Sequence, residues 1–334
     1  MMKHKSTKHL VNGATVIVCA GFEDRVLGAL SQFEKLSVVL DRVILIRFGG
    51  NENRTNIDEI RKLSSRISNF GAPIEFSREE VEASDFSFLN HVGHEGKLLF
   101  DVTGSSRSLM IRLLSTLHDS DLSFDILYTE AAEYYPEKEQ FEKQIGEVDV
   151  DTAEGLTTAY HRLSRYEQSR ILHSSHCEIE EFDDLRGLIR PNYPLFLITF
   201  LTFKRGRLSA ILSALEANAK LLIRGVPVRK DLKWRVDAIK VPNADLISDR
   251  ELIDLETLNW EVTYDYLVSQ YELDSNRFRY NFIVAPLGSK MQTVACWKFA
   301  KERPEVSLIT STPVEHYFDR YSNGSGETFY FPGF

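Results

Sequence analysis

Apolar positions along this chain fall in two recurring patterns, and their alternation predicts the architecture. Ala14–Ala20 reads ATVIVCA, a continuous apolar run rich in β-branched residues. Such a run predicts a strand buried on both faces. Val26–Leu36 has helical spacing, and Arg42–Phe48 predicts a second strand. A polar helix is expected over Ile57–Ser68, a short strand over Pro73–Ser77 and a helical segment over Asp85–His91. Leu98–Phe100 is another buried strand, followed by a helix running to about His118 and a strand at Leu122–Thr129. Strands alternating with helices imply a parallel sheet covered on both sides.

Pro136 to about Arg190 is different, rich in charge with scattered Tyr and His. Asp151–Ser174 has helical character, so the stretch reads as a mainly helical connector. From Pro194 the earlier pattern restarts, with strands at Leu195–Phe200, Lys220–Gly225, Arg279–Ala285 and Glu305–Thr310. Helices are expected at Leu208–Ala217, Glu251–Glu272 and Met291–Ala300, and an aromatic edge strand or cover at Glu327–Pro332. The expected fold is α/β, with two Rossmann-like parallel-sheet halves at 1–136 and 191–334 joined by a connector at 137–190.

Landmarks in the two halves recur in order. Arg25 and Arg207, each opening a first helix, stand 182 positions apart, as do Glu133-Tyr134-Tyr135 and Glu315-His316-Tyr317. Gly104 and Gly288 are 184 apart, and Leu45-Ile46-Arg47 and Leu222-Ile223-Arg224 are 177 apart. This order predicts an internal duplication, a pseudo-dimer in one chain.

The 334 residues carry a formal net charge of −9, which argues against broad binding to a phosphate backbone. The three cysteines, Cys19, Cys177 and Cys296, are far apart and odd in number, and fit free thiols in a reducing cytoplasm. No apolar run reaches the ~18 residues of a membrane span, and the lysine-bearing N-terminus lacks the core of a signal peptide. His173-x-x-His176-Cys177 lacks a clear fourth ligand, and His91-x-x-His94-Glu95 is not in the HExxH order, so no metal is expected. No G-x-G-x-x-G follows the first strand, and neither a Walker A pattern nor a G-x-S-x-G elbow occurs. No cofactor is expected.

The candidate chemistry lies in two loops. Thr103-Gly104-Ser105-Ser106-Arg107 follows one strand and opens a helix, and Gly288-Ser289-Lys290 does the same in the second half. Backbone N–H groups and hydroxyls at a helix start favour an anion, and Arg or Lys adds charge. Glu23, Asp24 and Arg25 follow the first strand, where such folds meet ligand, and Lys204, Arg205 and Arg207 hold that place in the second half. The competing structural reading is a tight turn with a helix cap. Arg47 and Arg224 at strand ends serve equally well as ligand contacts or salt bridges, and Asn51, Asn53 and Arg54 read first as a polar helix cap. Tyr135 and Tyr317 suit either base stacking or packing over a sheet edge.

A strand, a Thr-Gly-small-small-cation loop and a helix together resemble the ligand loop of CARF domains (CRISPR-associated Rossmann fold). Tandem copies in one chain are similar to SAVED sensor modules. The residues carrying the likeness are Thr103–Arg107 and Gly288–Lys290. The resemblance implies a sensor of a cyclic oligonucleotide or other phosphorylated, nucleotide-derived ligand in prokaryotic defence, held between the two loops and signalling to a protein partner. CARF sensors usually carry an effector domain, and none is visible here. The alternatives are an enzyme that cleaves such a ligand, with Asp101, Glu23 or Asp24 as base, and a structural subunit with vestigial loops.

Overall fold

The computed structural model describes residues 5–6, 13–48, 54–82, 86–92, 96–165, 176–247, 252–314 and 321–334. The chain divides into two compact units, Met1–Tyr135 with Tyr317–Phe334, and Pro136–His316.

The first unit begins with β1 (Lys5–Ser6) and β2 (Thr15–Cys19), then α1 (Gly28–Lys35), β3 (Arg42–Arg47), α2 (Arg54–Ile67) and β4 (Ile74–Ser77). It continues through α3 (Arg78–Glu82), β5 (Leu98–Asp101), α4 (Arg107–Asp119) and β6 (Phe124–Tyr134). All five residues of β2 are buried, as expected of a central parallel strand with helices on both faces. The core gathers Val16 and Val18 of β2, Ala29, Leu30 and Phe33 of α1, and Ile60 and Leu63 of α2.

The second unit opens with α5 (Lys138–Ile145), α6 (Ala153–Arg165) and β7 (Cys177–Glu181). Next come β8 (Leu195–Phe200), α7 (Arg205–Ala214), β9 (Ala219–Val226), α8 (Arg235–Ala238), β10 (Ile253–Glu256) and α9 (Trp260–Glu272). Last are α10 (Asp274–Arg277), β11 (Asn281–Ala285), α11 (Lys290–Lys301) and β12 (Val306–Pro313). Helix α11 is buried along most of its length, which matches its apolar sequence. The remaining strand, β13 (Ser322–Phe331), belongs to the first unit.

The first sheet runs β1-β13-β6-β5-β2-β3-β4 and the second β10-β9-β8-β11-β12-β7. Counted by appearance, the five parallel strands of each unit stand in the same order, 3-2-1-4-5. In each sheet an antiparallel strand covers the fifth, β13 beside β6 and β7 beside β12. The covering strands are exchanged along the chain. β7 follows β6 in sequence but joins the second sheet, and β13 follows β12 but joins the first.

The domain expectation therefore needs three corrections. The connector is not a separate piece, because α5 and α6 pack Phe141, Ile145, Ala159 and Leu163 against Phe203 and Val241 within the second unit. The aromatic tail pairs within the first sheet, between β1 and β6, and is not an edge. Strands β7 and β10 replace stretches expected to be without a strand or helical, because an edge strand such as CEIEE or IDLE buries too little to leave an apolar run.

Candidate functional site

In the 3-2-1-4-5 order, strands 1 and 4 are neighbours whose connections leave in opposite directions, so a crevice opens beyond their C-terminal ends. In the first unit those strands are β2 and β5. The loops after them meet backbone to backbone. A Cβ on Gly104 would fall 1.9 Å from the Cys19 carbonyl oxygen, and one on Gly21 would fall 2.7 Å from the Gly104 carbonyl oxygen. Only glycine permits that approach.

The loop Thr103–Arg107 has an inner and an outer side. Thr103 and Ser105 are buried and hold the loop in place. Thr103 accepts the Thr129 N–H through Oγ1 at 2.8 Å and donates its own N–H to Asp101 Oδ1 at 2.9 Å. Ser105 Oγ donates to the Val102 carbonyl at 2.7 Å. Gly104, Ser106 and Arg107 are half-exposed on the outer side. Ser106 caps α4 by accepting the Leu109 N–H at 3.1 Å, and Arg107 is the first helical residue.

The loop after β2 is tied down from three directions. Asn56 of α2, itself buried, donates to the Gly21 carbonyl at 2.8 Å and the Glu23 carbonyl at 3.4 Å. Arg25 is buried and donates to Glu23 Oε2 at 2.8 Å, Tyr128 Oη at 3.0 Å and the Thr129 carbonyl at 3.4 Å. Burial alone would lower the Arg25 pKa, but Tyr128 and Glu23 outweigh it and the guanidinium stays charged. Burial pushes the Tyr128 phenol well up, so it remains protonated. The other Glu23 oxygen accepts the Ser322 hydroxyl, and the Phe22 ring meets Tyr321 edge to face at 5.1 Å.

The second unit repeats these devices. Ser289 caps α11 by accepting the Gln292 N–H at 3.1 Å, while Gln292 Oε1 accepts the Ser289 N–H at 2.9 Å in a capping box. The Ser289 hydroxyl also donates to the Thr257 carbonyl, and Gly288, Ser289 and Lys290 are half-exposed. Asn243 stands in for Asn56, donating to the Thr202 carbonyl at 3.0 Å. Arg207 stands in for Arg25, donating through Nε to the Ser311 carbonyl at 2.9 Å. Arg205 pairs with Asp245 and Tyr160 instead. The two strand-end arginines also match, with Arg47 bridging to Glu75 at 3.2 Å and Arg224 to Asp254 at 2.6 Å.

The sequence candidates thus separate by position. In the first unit, Glu23, Arg25, Thr103, Gly104, Ser105, Ser106 and Arg107 converge on one crevice, but Arg25, Thr103 and Ser105 build it and do not face outward. In the second, Gly288, Ser289 and Lys290 form the matching helix start, with the Ser289 N–H and hydroxyl both engaged internally, and Arg207 anchors the last strand. Of the candidate bases, Asp101 staples its own loop and Glu23 is held by Arg25 and Ser322. Asn56, Asn243, Gly21, Tyr321 and Ser322 were not singled out from the sequence. Asn56 lies inside a polar helix, and the two tail residues are almost 300 positions from their partners. Asn51, Asn53, His94, Glu95, His173, Glu315 and Tyr317 lie outside the described residues. Among the described residues no group of three or more His, Cys, Asp or Glu is placed to hold a metal ion, and no helix is long and apolar enough to cross a membrane.

No family model matches the chain, and no curated protein does. Among solved structures, it is similar to the cytoplasmic domain of a prokaryotic cation chloride cotransporter at 9% identity, over 93% of this chain and 99% of that one, with a TM-score of 0.23. That superposition is too loose to bear on fold or function.

Proposed function

We propose that this chain is a sensor that binds a phosphorylated, nucleotide-derived ligand at the C-terminal ends of its parallel strands and passes the signal to a protein partner. The observation that supports this reading is the Gly21–Gly104 backbone contact. It places the outer side of Gly104–Arg107 and the start of a 13-residue helix at the crevice between strands 1 and 4. A helix of that length presents N–H groups and positive potential to an anion, and Arg107 adds a fixed charge. Lys290 occupies the same position in the second unit, at the start of α11. The resemblance to CARF and SAVED modules suggests a cyclic oligonucleotide as the ligand and prokaryotic defence as the setting.

Mass spectrometry of small molecules released from the purified protein identifies the ligand directly. Titration with a nucleotide panel that includes cyclic oligonucleotides then tests the site. Arg107→Ala with Lys290→Ala should weaken binding by about tenfold or more, since each removes a charge-assisted contact, while the melting temperature holds. Unchanged affinity in the double variant would refute the assignment. Linear products after incubation with cyclic oligonucleotides would show that the ligand is also cleaved.

A further inference from the structure

The ligand reading above accounts for a phosphate and leaves the rest of a nucleotide unplaced. Beside the phosphate loop lies a pair of aromatic rings packed edge to face. Phe22 follows Gly21, the residue in backbone contact with Gly104. Its ring meets that of Tyr321 at 5.1 Å with an interplanar angle of 64°. Both rings are half-exposed, whereas others of this unit, such as Phe33, Phe88, Phe100 and Phe124, lie inside.

The pair is also held rigidly. Asn56 fixes the carbonyls on either side of Phe22, at Gly21 and Glu23. Tyr321 is fixed by its backbone, whose carbonyl accepts the Tyr135 N–H at 3.2 Å, and by its neighbour Ser322, which donates to Glu23. A half-exposed aromatic surface with little freedom is what an unpaired base stacks on, and the entropy of ordering it has already been lost in folding. We infer that Phe22 and Tyr321 form a nucleobase subsite, so that the first unit takes a nucleotide through its base as well as its phosphate. This inference rests on the phosphate reading of Gly104–Arg107.

Two probes separate the two claims. Ribose 5-phosphate reports the phosphate loop alone, and adenosine 5′-monophosphate reports loop and base together. Calorimetric titration of the full chain should show adenosine 5′-monophosphate binding about tenfold more tightly than ribose 5-phosphate, the usual worth of one stacked base. Tyr321→Leu and Phe22→Leu keep apolar bulk but remove the ring, and each should erase most of that preference. Tyr321→Phe should keep it. If ribose 5-phosphate binds and the preference is absent, or survives in both leucine variants, the base subsite is wrong and the phosphate loop stands. If neither probe binds the native protein, the phosphate reading fails and takes the inference with it.

Discussion

The glycine pair at the crevice allows a quantitative test. An alanine Cβ at Gly104 would lie 1.9 Å from the Cys19 carbonyl oxygen and 3.0 Å from the Gly21 nitrogen. Both obstacles are backbone, so no side-chain rotation relieves the clash. Restoring ordinary contact would part the two loops by about 1.5 Å and disturb the Gly21 to Cys19 hydrogen bond. Overpacking of that kind costs about 3 kcal/mol, the upper part of its usual range. In a unit of this size that corresponds to a drop of about 6–12 °C in melting temperature. Gly288 is a control at the matching position. A Cβ there meets the tip of Gln292 at 2.3 Å and the edge of Phe200 at 2.9 Å. The glutamine can swing away at the loss of its bond to the Ser289 N–H, about 1 kcal/mol or about 2–4 °C. Far-ultraviolet circular dichroism follows both units. All three tryptophans, Trp234, Trp260 and Trp297, belong to the second, so their fluorescence reports that unit alone. The expected result is a larger loss for Gly104→Ala, seen most clearly in the dichroism. An equal or larger loss for Gly288→Ala would refute the account of how the loops meet.

Three further outcomes follow from the same geometry. Asn56→Ala and Asn56→Asp both remove the donor to the Gly21 carbonyl, so each should lower stability by about 1–3 kcal/mol in urea titration; an unchanged midpoint would show that the loop does not depend on it. Arg25→Met strips Glu23 of its buried cation and should cost about 3 kcal/mol, while the more conservative Arg25→Lys recovers part of it; equal stability for both variants would contradict the pairing. Burial works to raise the Glu302 carboxyl, but Tyr264 and Lys298 prevail and hold it below the ordinary glutamate value. Its contribution is therefore present above that ordinary value and is lost as pH falls through the lowered one, a small effect because the side chain is 38% exposed. Glu302→Gln should flatten the acid limb of the stability profile, and a profile unchanged by the variant would remove Glu302 from it.

The alternation of buried strands and helices was legible because each central parallel strand is covered on both faces, and a run such as ATVIVCA has no other soluble use. The helix starts at Ser106 and Ser289 were legible for a local reason, since a cap and the turn before it lie within a few consecutive residues. Polar edge strands were not, because CEIEE and IDLE pair along one edge only, stay partly exposed and leave no apolar signature. The exchange of β7 and β13 also left no trace in the sequence. Pairing register is set by which hydrogen-bonding edge is open, and only the assembled sheets show that β6 and β12 each have one. The roles within the candidate site divided in the same way. Sequence alone grouped Thr103, Ser105 and Arg25 with Ser106 and Arg107 as residues of one polar kind. Tertiary structure decided that the first three are buried and build the crevice, while Ser106 and Arg107 stay partly exposed at the helix start. The physical reason is that a hydroxyl or guanidinium has the same hydrogen-bonding capacity wherever it lies, and its partner is chosen by segments distant in the chain, such as Thr129, Tyr128 and Ser322.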